Sequence, residues 1–323
     1  MTATSKVLAL TAVVLLVGIG IGVSLNTLLA PTPTAMQPVS PQKIVIAIQP
    51  TQTSAELTSR SQQLEQFLES EVGVDIEIYV PTTYAAVVEA LRFGNADVAF
   101  MSAWPTYIAS KMSNADIVLA EVREVLIGEE KSNEPFYFSY WVVPKGSAVN
   151  SLSELQGKKV CLPSQISTSG YAAPLGRMVE LGLIKKPDNG AVDPKAFFGD
   201  VLYGGGYSQC WTALKAGQVD ATVIAGDVAE SLYREVLTNT KVIEQQGPIP
   251  SHGVVFSKNL GEPLRSKLVN ALLKLGEPEH RDLMRKFISG IFVSFKTTTT
   301  EEHMAGLQKY LGLTGLRFTE SLG

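Results

Sequence analysis

The stretch Lys43–Met101, read as KIVIAI, QPTQTSAELTSRSQQLEQFLESEVG, VDIEIYV, PTTYAAVVEALRFGNA and DVAFM, decides the fold through its changes of hydrophobic period. Lys43–Ile48 is a short run rich in β-branched residues, followed by a polar loop over Gln49–Ser54. Ala55–Glu71 then carries Leu57, Leu64, Phe67 and Leu68 at helical spacing. Val74–Val80 alternates as a strand, and Tyr84–Phe93 is amphipathic through Val87, Val88, Leu91 and Phe93. Asp97–Met101 reads as a third, buried strand. Strands separated by helices predict a parallel sheet with right-handed crossovers.

Beyond this unit the chain is richer in strand formers. Ile117–Val125 and Phe136–Val143 read as strands, the second dense in aromatics (Phe136, Tyr137, Phe138, Tyr140, Trp141). Ser151–Leu155 carries a capping box, with Ser151 as N-cap and Glu154 three residues on. The alternation then restarts. Strands are expected at Lys159–Leu162, within Ala196–Tyr203, at Ala221–Ile224 and at Lys241–Glu244. Helices are expected over Gly170–Leu181, Ser208–Ala216 and Asp227–Leu237. Ser251–Ser257 reads as a strand leaving this second unit, and the tail from Pro263 as mostly helical.

A tail too short for a third domain predicts that the chain returns to its first unit. The expected division is residues 43–142 with 250–323 in one lobe and 143–249 in the other, with crossings near Tyr140–Lys145 and Pro248–Val254. Two α/β lobes, each a mixed, mostly parallel sheet flanked by helices, would then close through a two-segment hinge over a ligand held between them.

Ahead of this body, Lys6 precedes Val7–Ala30, an apolar run interrupted by Thr11, Ser24, Asn26 and Thr27 and long enough to span a bilayer. Residues 1–30 read as a membrane anchor or signal segment, and the Pro/Thr-rich stretch 31–42 as a linker. A cleaved signal has a shorter apolar core and a small-x-small site, which Ala30 and Ala35 match poorly, so an uncleaved anchor is the favoured reading. Either way the body is expected outside the cytoplasm. The net charge of −4, from 27 basic and 31 acidic residues, argues against a nucleic-acid partner. It does not argue against an anion site, because a few backbone N–H groups hold an anion without net positive charge. Cys161 and Cys210 either pair in an oxidising compartment or sit apart as small buried hydrophobes. His280 and His303 have no metal-ligand pattern around them, and neither a metal nor a cofactor is expected.

The sharpest local signal is Ser167-Thr168-Ser169-Gly170, between a strand end and an amphipathic helix. Hydroxyls at a helix start sit beside unpaired N–H groups and the positive end of the helix dipole, the donor set that a tetrahedral oxyanion needs. An ordinary N-cap serine with loop neighbours reads the same way in composition. Gly204-Gly205-Gly206-Tyr207 precedes a second helix and either admits a ligand close to the backbone or makes a flexible turn.

Several stretches, in order and spacing, resemble the phosphonate, phosphite and phosphate-type periplasmic binding proteins of ABC importers. They are Tyr84 with Leu91–Gly94, Asp97–Phe100, SELQGKK at Ser153–Lys159, STSGY at Ser167–Tyr171, Gly206 with Tyr207, GQVDA at Gly217–Ala221, and Ile249-Pro250 before a strand. The resemblance covers roughly Lys43–Thr300 and implies the type II periplasmic binding protein fold. It implies that Ser167, Thr168 and Ser169 hold phosphoryl oxygens, and that Tyr84 is a cleft tyrosine of the first lobe. Met101–Trp104 matches another anion-contacting loop, in which Met101 replaces an aromatic, leaving Ser102 or a backbone N–H to serve, with Trp104 a further ligand-binding candidate. Asp227 matches an acidic position that pairs with the ligand amine in aminoalkylphosphonate binders. Two departures stand out: Tyr207 where many members have histidine, and His252 where aminoalkylphosphonate binders have a second carboxylate. A protonated His252 would favour an anionic ligand. The aromatics Tyr84, Trp104, Tyr137, Tyr140, Trp141 and Trp211 either cage a methylated amine or pack core and hinge.

The expectation is therefore a monomeric binding component that hands a small phosphorus oxyanion to ABC permease and ATPase subunits. A larger phosphorylated ligand or a sensor partner is the alternative. A hydrolase using Ser167 would need a base in hydrogen-bond reach, and the three histidines form no such pattern.

Overall fold

Alternating burial builds the first sheet. In β1 (Lys43–Ile48) Ile44, Ile46 and Ile48 enter one apolar layer and Ala47 the other. This strand lies between β2 (Asp75–Tyr79) and β3 (Val98–Met101), parallel to both, with Ile46 in register with Ile78 and Val98. Leu64, Leu68 and Val72 of α1 (Ser54–Val72) pack on the isoleucine face, and Val87, Val88 and Leu91 of α2 (Tyr84–Arg92) pack in the opposite layer. Each such side chain stabilises the fold by about 1.5–3 kcal/mol when fully buried, which gives the period of the sequence its force.

The computed structural model describes residues 43–49, 54–81, 83–287 and 289–317. The Val7–Ala30 segment and the linker after it lie outside the described residues. Among those described, no helix is long and apolar enough to cross a membrane.

Beyond β3 the first sheet turns antiparallel. It continues through β11 (Gly253–Ser257) and β4 (Ala115–Ile127) to β12 (Phe292–Thr297), with β5 (Glu130–Glu134) folded back on β4. The second sheet has the order β10 (Thr240–Pro250), β6 (Phe136–Pro144), β9 (Ala221–Ala225), β7 (Lys159–Leu162), β8 (Asp200–Tyr203). Strands β9, β7 and β8 are parallel, while β6 and β10 are antiparallel to their neighbours. Each lobe is thus a mixed sheet, three parallel strands joined to an antiparallel set. Helices α4 (Ala173–Glu180), α5 (Tyr207–Lys215) and α6 (Glu230–Asn239) flank the second sheet. Helices α3 (Ala103–Met112), α7 (Leu264–Lys274) and α8 (Arg281–Phe287) belong to the first.

The chain leaves the first sheet at Pro135 and returns through Ser251 and His252, where the Ser251 N–H donates to the Pro135 carbonyl at 3.0 Å. All of β6 lies in the second sheet, held by pairing with β10 from Thr240↔Pro144 to Pro250↔Phe136. The first crossing therefore precedes Tyr140–Lys145. Strand β10 is also longer than Lys241–Glu244, because Gly247-Pro248 reads as a break in sequence but sits at a register shift in the ladder. Helix α3 begins Ala-Trp-Pro, a loop-like string, yet proline in a first turn leaves no hydrogen bond broken. Strand β12 interrupts a tail that was expected to be mostly helical.

The last helix, α9 (Thr300–Thr314), packs on α4 and β10 of the second lobe and on α3 and β4 of the first. Gly176 permits that approach, since a Cβ there would lie 2.5 Å from Tyr310 Cδ1. Lys309 pairs with Glu180 at 2.5 Å, and the Tyr310 hydroxyl donates to the Gly247 carbonyl at 3.2 Å.

Candidate functional site

A cleft of about 830 Å³ is lined from the first lobe by Gln49, Ser102, Arg123 and His252 and from the second by Tyr137, Ser167–Ser169, Tyr207 and Asp227. Its hydroxyl cluster follows from one local motif. Ser167 caps a π-type turn, Thr168–Ala172, that runs on into α4, and its Oγ accepts from the Gly170 N–H at 2.9 Å. A Cβ at Gly170 would lie 2.8 Å from Ser167 Oγ and 2.9 Å from Pro163 Cδ, so the cap closes only over glycine. The wide turn, in which the Ala172 N–H reaches the Ser167 carbonyl at 3.1 Å, leaves its first N–H groups without an intrahelical acceptor.

The three hydroxyls differ in what they already hold. Ser169 Oγ accepts from the Tyr137 hydroxyl at 3.1 Å and lies 2.7 Å from the Tyr207 hydroxyl. Burial pushes both tyrosine pKa values up, so both phenols remain protonated donors. The Thr168 hydroxyl has no partner among the described residues.

Tyr207 opens α5, and the Cys161–Cys210 disulfide, with Cα atoms 5.4 Å apart, ties that helix to β7. The two cysteines therefore pair. A Cβ at Gly204 would lie 2.7 Å from Cys210 Sγ and 3.0 Å from Cys161 Sγ, and Gly205 has φ +84°. The first glycine of the triplet thus makes room for the disulfide, and the second supplies left-handed backbone.

On the opposing wall Ser102 caps α3, and its N–H and Oγ both donate to Gln49 Oε1, at 2.8 and 2.9 Å. Beside it lies a buried charge cluster. Arg123 on β4 donates from Nη1 to Asp227 Oδ2 at 2.9 Å and from Nη2 to His252 Nδ1 at 2.9 Å, while its Nε lies 3.1 Å from Glu121 Oε2. A guanidinium only donates, so His252 Nδ1 accepts and the ring proton sits on Nε2. Burial, and then the charge of Arg123, holds the His252 pKa well below the usual range. The imidazole is neutral, and the protonated form on which a direct anion attraction depends is not the one present. Burial pushes the Asp227 carboxyl up, against the pull of Arg123.

Of the residues expected at a site, Ser102, Ser167, Thr168, Ser169, Tyr207, Asp227 and His252 come together in this cleft. Trp104 does not: it is 1% exposed and packs in the core, because it lies in the first turn of α3 on the inward face. Tyr84 begins α2, and its side chain lies outside the described residues. Of the other aromatics, Tyr140, Trp141 and Trp211 are core residues, and Tyr137 lines the cleft. The sequence did not single out Gln49 or Arg123 as site residues, and offered Tyr137 only among the aromatics that either cage an amine or pack core and hinge. Arg123 had a legible signal, since Glu121 and Arg123 stand two apart in a strand and so share one face.

Residues 46–302 match the family model described as the periplasmic substrate-binding protein of phosphonate ABC transporters. The chain belongs to that family. Its members are extracytoplasmic binding components rather than enzymes. Among curated relatives, the phosphate-import protein PhnD of Mycolicibacterium smegmatis is 27% identical over 182 residues, 56% of this chain and 54% of that protein. The match thus spans about half the length of that relative. The phosphonates-binding periplasmic protein of Escherichia coli is 25% identical over 274 residues, 81% of this chain and 74% of that protein. A solved binding-protein component of an ABC phosphonate transporter from Pseudomonas aeruginosa superposes with a TM-score of 0.61 at 21% identity, covering 84% of this chain and 86% of that one. A Prochlorococcus marinus protein solved in complex with methylphosphonate gives 0.62 at 16% identity, covering 84% and 97%. The solved neighbours establish the two-lobed type II fold.

Proposed function

We propose that this chain captures a phosphonate, phosphite or phosphate-type oxyanion in its interlobe cleft and delivers it to an ABC permease and its ATPase. The observation that carries the reading is the Thr168 hydroxyl, which has no partner among the described residues and sits at the helix-start end of the turn into α4. Ser167, Thr168 and Ser169 supply donors to the phosphoryl oxygens, and Tyr207 orients Ser169. Ser102 approaches from the other lobe when the lobes close about Pro135 and Ser251–His252. A preformed donor set plus closure binds without any covalent step. The names of the relatives, a phosphate importer and a phosphonate binder, support the same ligand class. The chain acts as a monomer outside the cytoplasm, either anchored to the membrane through residues 1–30 or released after their cleavage as a signal segment.

The cleft volume of about 830 Å³ favours one second reading, a larger phosphorylated compound. A thermal-shift series on the full chain tests both, using phosphate, phosphite, methylphosphonate, 2-aminoethylphosphonate and a sugar phosphate, with sulfate as control. A rise in Tm with a small phosphorus oxyanion supports the first reading, and a rise with the sugar phosphate alone supports the second. No shift with any of the five overturns both.

A further inference from the structure

We infer that Arg123 sets the charge selectivity of the cleft, masking Asp227 so that ligands bearing an ammonium group are disfavoured. The inference rests on the oxyanion reading and adds the chemistry of the ligand's other end. An acidic side chain opposite an oxyanion cradle is the natural partner for an ammonium substituent. Here that carboxylate is already occupied: Arg123 Nη1 holds Asp227 Oδ2 at 2.9 Å, and the carboxylate also accepts from its own backbone N–H. The Asp227 side chain is 13% exposed and that of Arg123 6%, so the pair is desolvated and screened little by solvent.

The second group at that end also turns away from cations. His252 presents Nδ1 to Arg123 at 2.9 Å and therefore carries its proton on Nε2. An Nε2–H donates; it cannot accept from an ammonium. An ammonium ligand would either displace the guanidinium from Asp227, leaving buried Arg123 with Glu121 as its one remaining carboxylate and His252 Nδ1 as a neutral acceptor, or share the carboxylate through Oδ1 and so set two cations side by side in a desolvated site. The spare N–H groups of Arg123 and the Nε2–H of His252 instead offer donors to the far end of the ligand. The substrate class that fits is a phosphorus oxyanion whose substituent is absent, small and uncharged, or itself an acceptor.

Titration calorimetry on the full chain tests this with methylphosphonate and 2-aminoethylphosphonate, on wild type, Arg123→Met and Asp227→Asn. Wild type is expected to bind methylphosphonate about tenfold or more tightly than 2-aminoethylphosphonate. Asp227→Asn, whose amide oxygen still accepts from Arg123, changes both affinities by the same factor. Arg123→Met bares the carboxylate and narrows or reverses the ratio by about tenfold. A wild-type preference for 2-aminoethylphosphonate overturns the inference, as does a selective loss of that ligand in Asp227→Asn, which decides the matter even where Arg123→Met fails to fold. Binding of neither ligand to wild type, with no response to phosphate or phosphite, sinks the oxyanion reading and this inference with it.

Discussion

Replacing Thr168 with valine removes one hydroxyl and keeps the β-branched shape. The magnitude follows from what that hydroxyl does in the free protein. It has no partner among the described residues, so its loss orphans no buried donor or acceptor. Stability should move by no more than about 0.5 kcal/mol, the usual range for a change that breaks no internal contact. In the complex the same hydroxyl donates to a charged oxygen, a bond that contributes about 1.5–3 kcal/mol. The dissociation constant for phosphite or methylphosphonate should therefore rise by roughly 10- to 150-fold, while Tm without ligand stays put. Titration calorimetry with differential scanning calorimetry reads both quantities on one preparation. Unchanged affinity would remove Thr168 from the site and with it the observation that carries the proposed function. Ser169 is a poorer probe, because it is only 4% exposed and shared between two tyrosine hydroxyls, so Ser169→Ala would confound binding with stability.

Three further outcomes follow from the geometry. The Cys161–Cys210 bond closes a separation of 49 residues, and the chain-entropy model assigns such a loop about 4 kcal/mol. The double Cys→Ser variant should unfold at clearly lower urea, and an unchanged midpoint would contradict this. His303 is held down to about 4, chiefly by burial, against an ordinary 6.5. The unfolded chain takes up that proton first, so stability is full above pH 6.5 and is lost as pH falls toward 4, by up to about 1.4 kcal/mol per pH unit. His303→Gln should make the fall of Tm over that window shallower, and an identical slope would refute the assignment. Gly176→Ala places a Cβ 2.5 Å from Tyr310 Cδ1, so α9 must shift from α4. Overpacking of this kind costs about 1–3 kcal/mol, read as a lower urea midpoint.

Sequence alone determined whatever depends on near neighbours in the chain. The period changes in Lys43–Met101 gave the first three strands and their crossover helices, because side-chain burial in each element repeats at its own period. The Ser167–Gly170 motif was equally legible, since a cap and its glycine lie within one turn. Whether Cys161 and Cys210 paired was open until β7 and α5 brought their Cα atoms to 5.4 Å. Membership of β6 was decided by its ladder with β10, a hundred residues away in sequence, and no local pattern carries such a pairing. The far end of the cleft shows the division most plainly. Asp227 and His252 could be named from their positions, but only the fold brings Arg123 from another strand to within 2.9 Å of each. That contact turns a free carboxylate into a paired one and a titratable imidazole into a neutral donor. Protonation state and charge depend on distances that the chain sets only after it has folded.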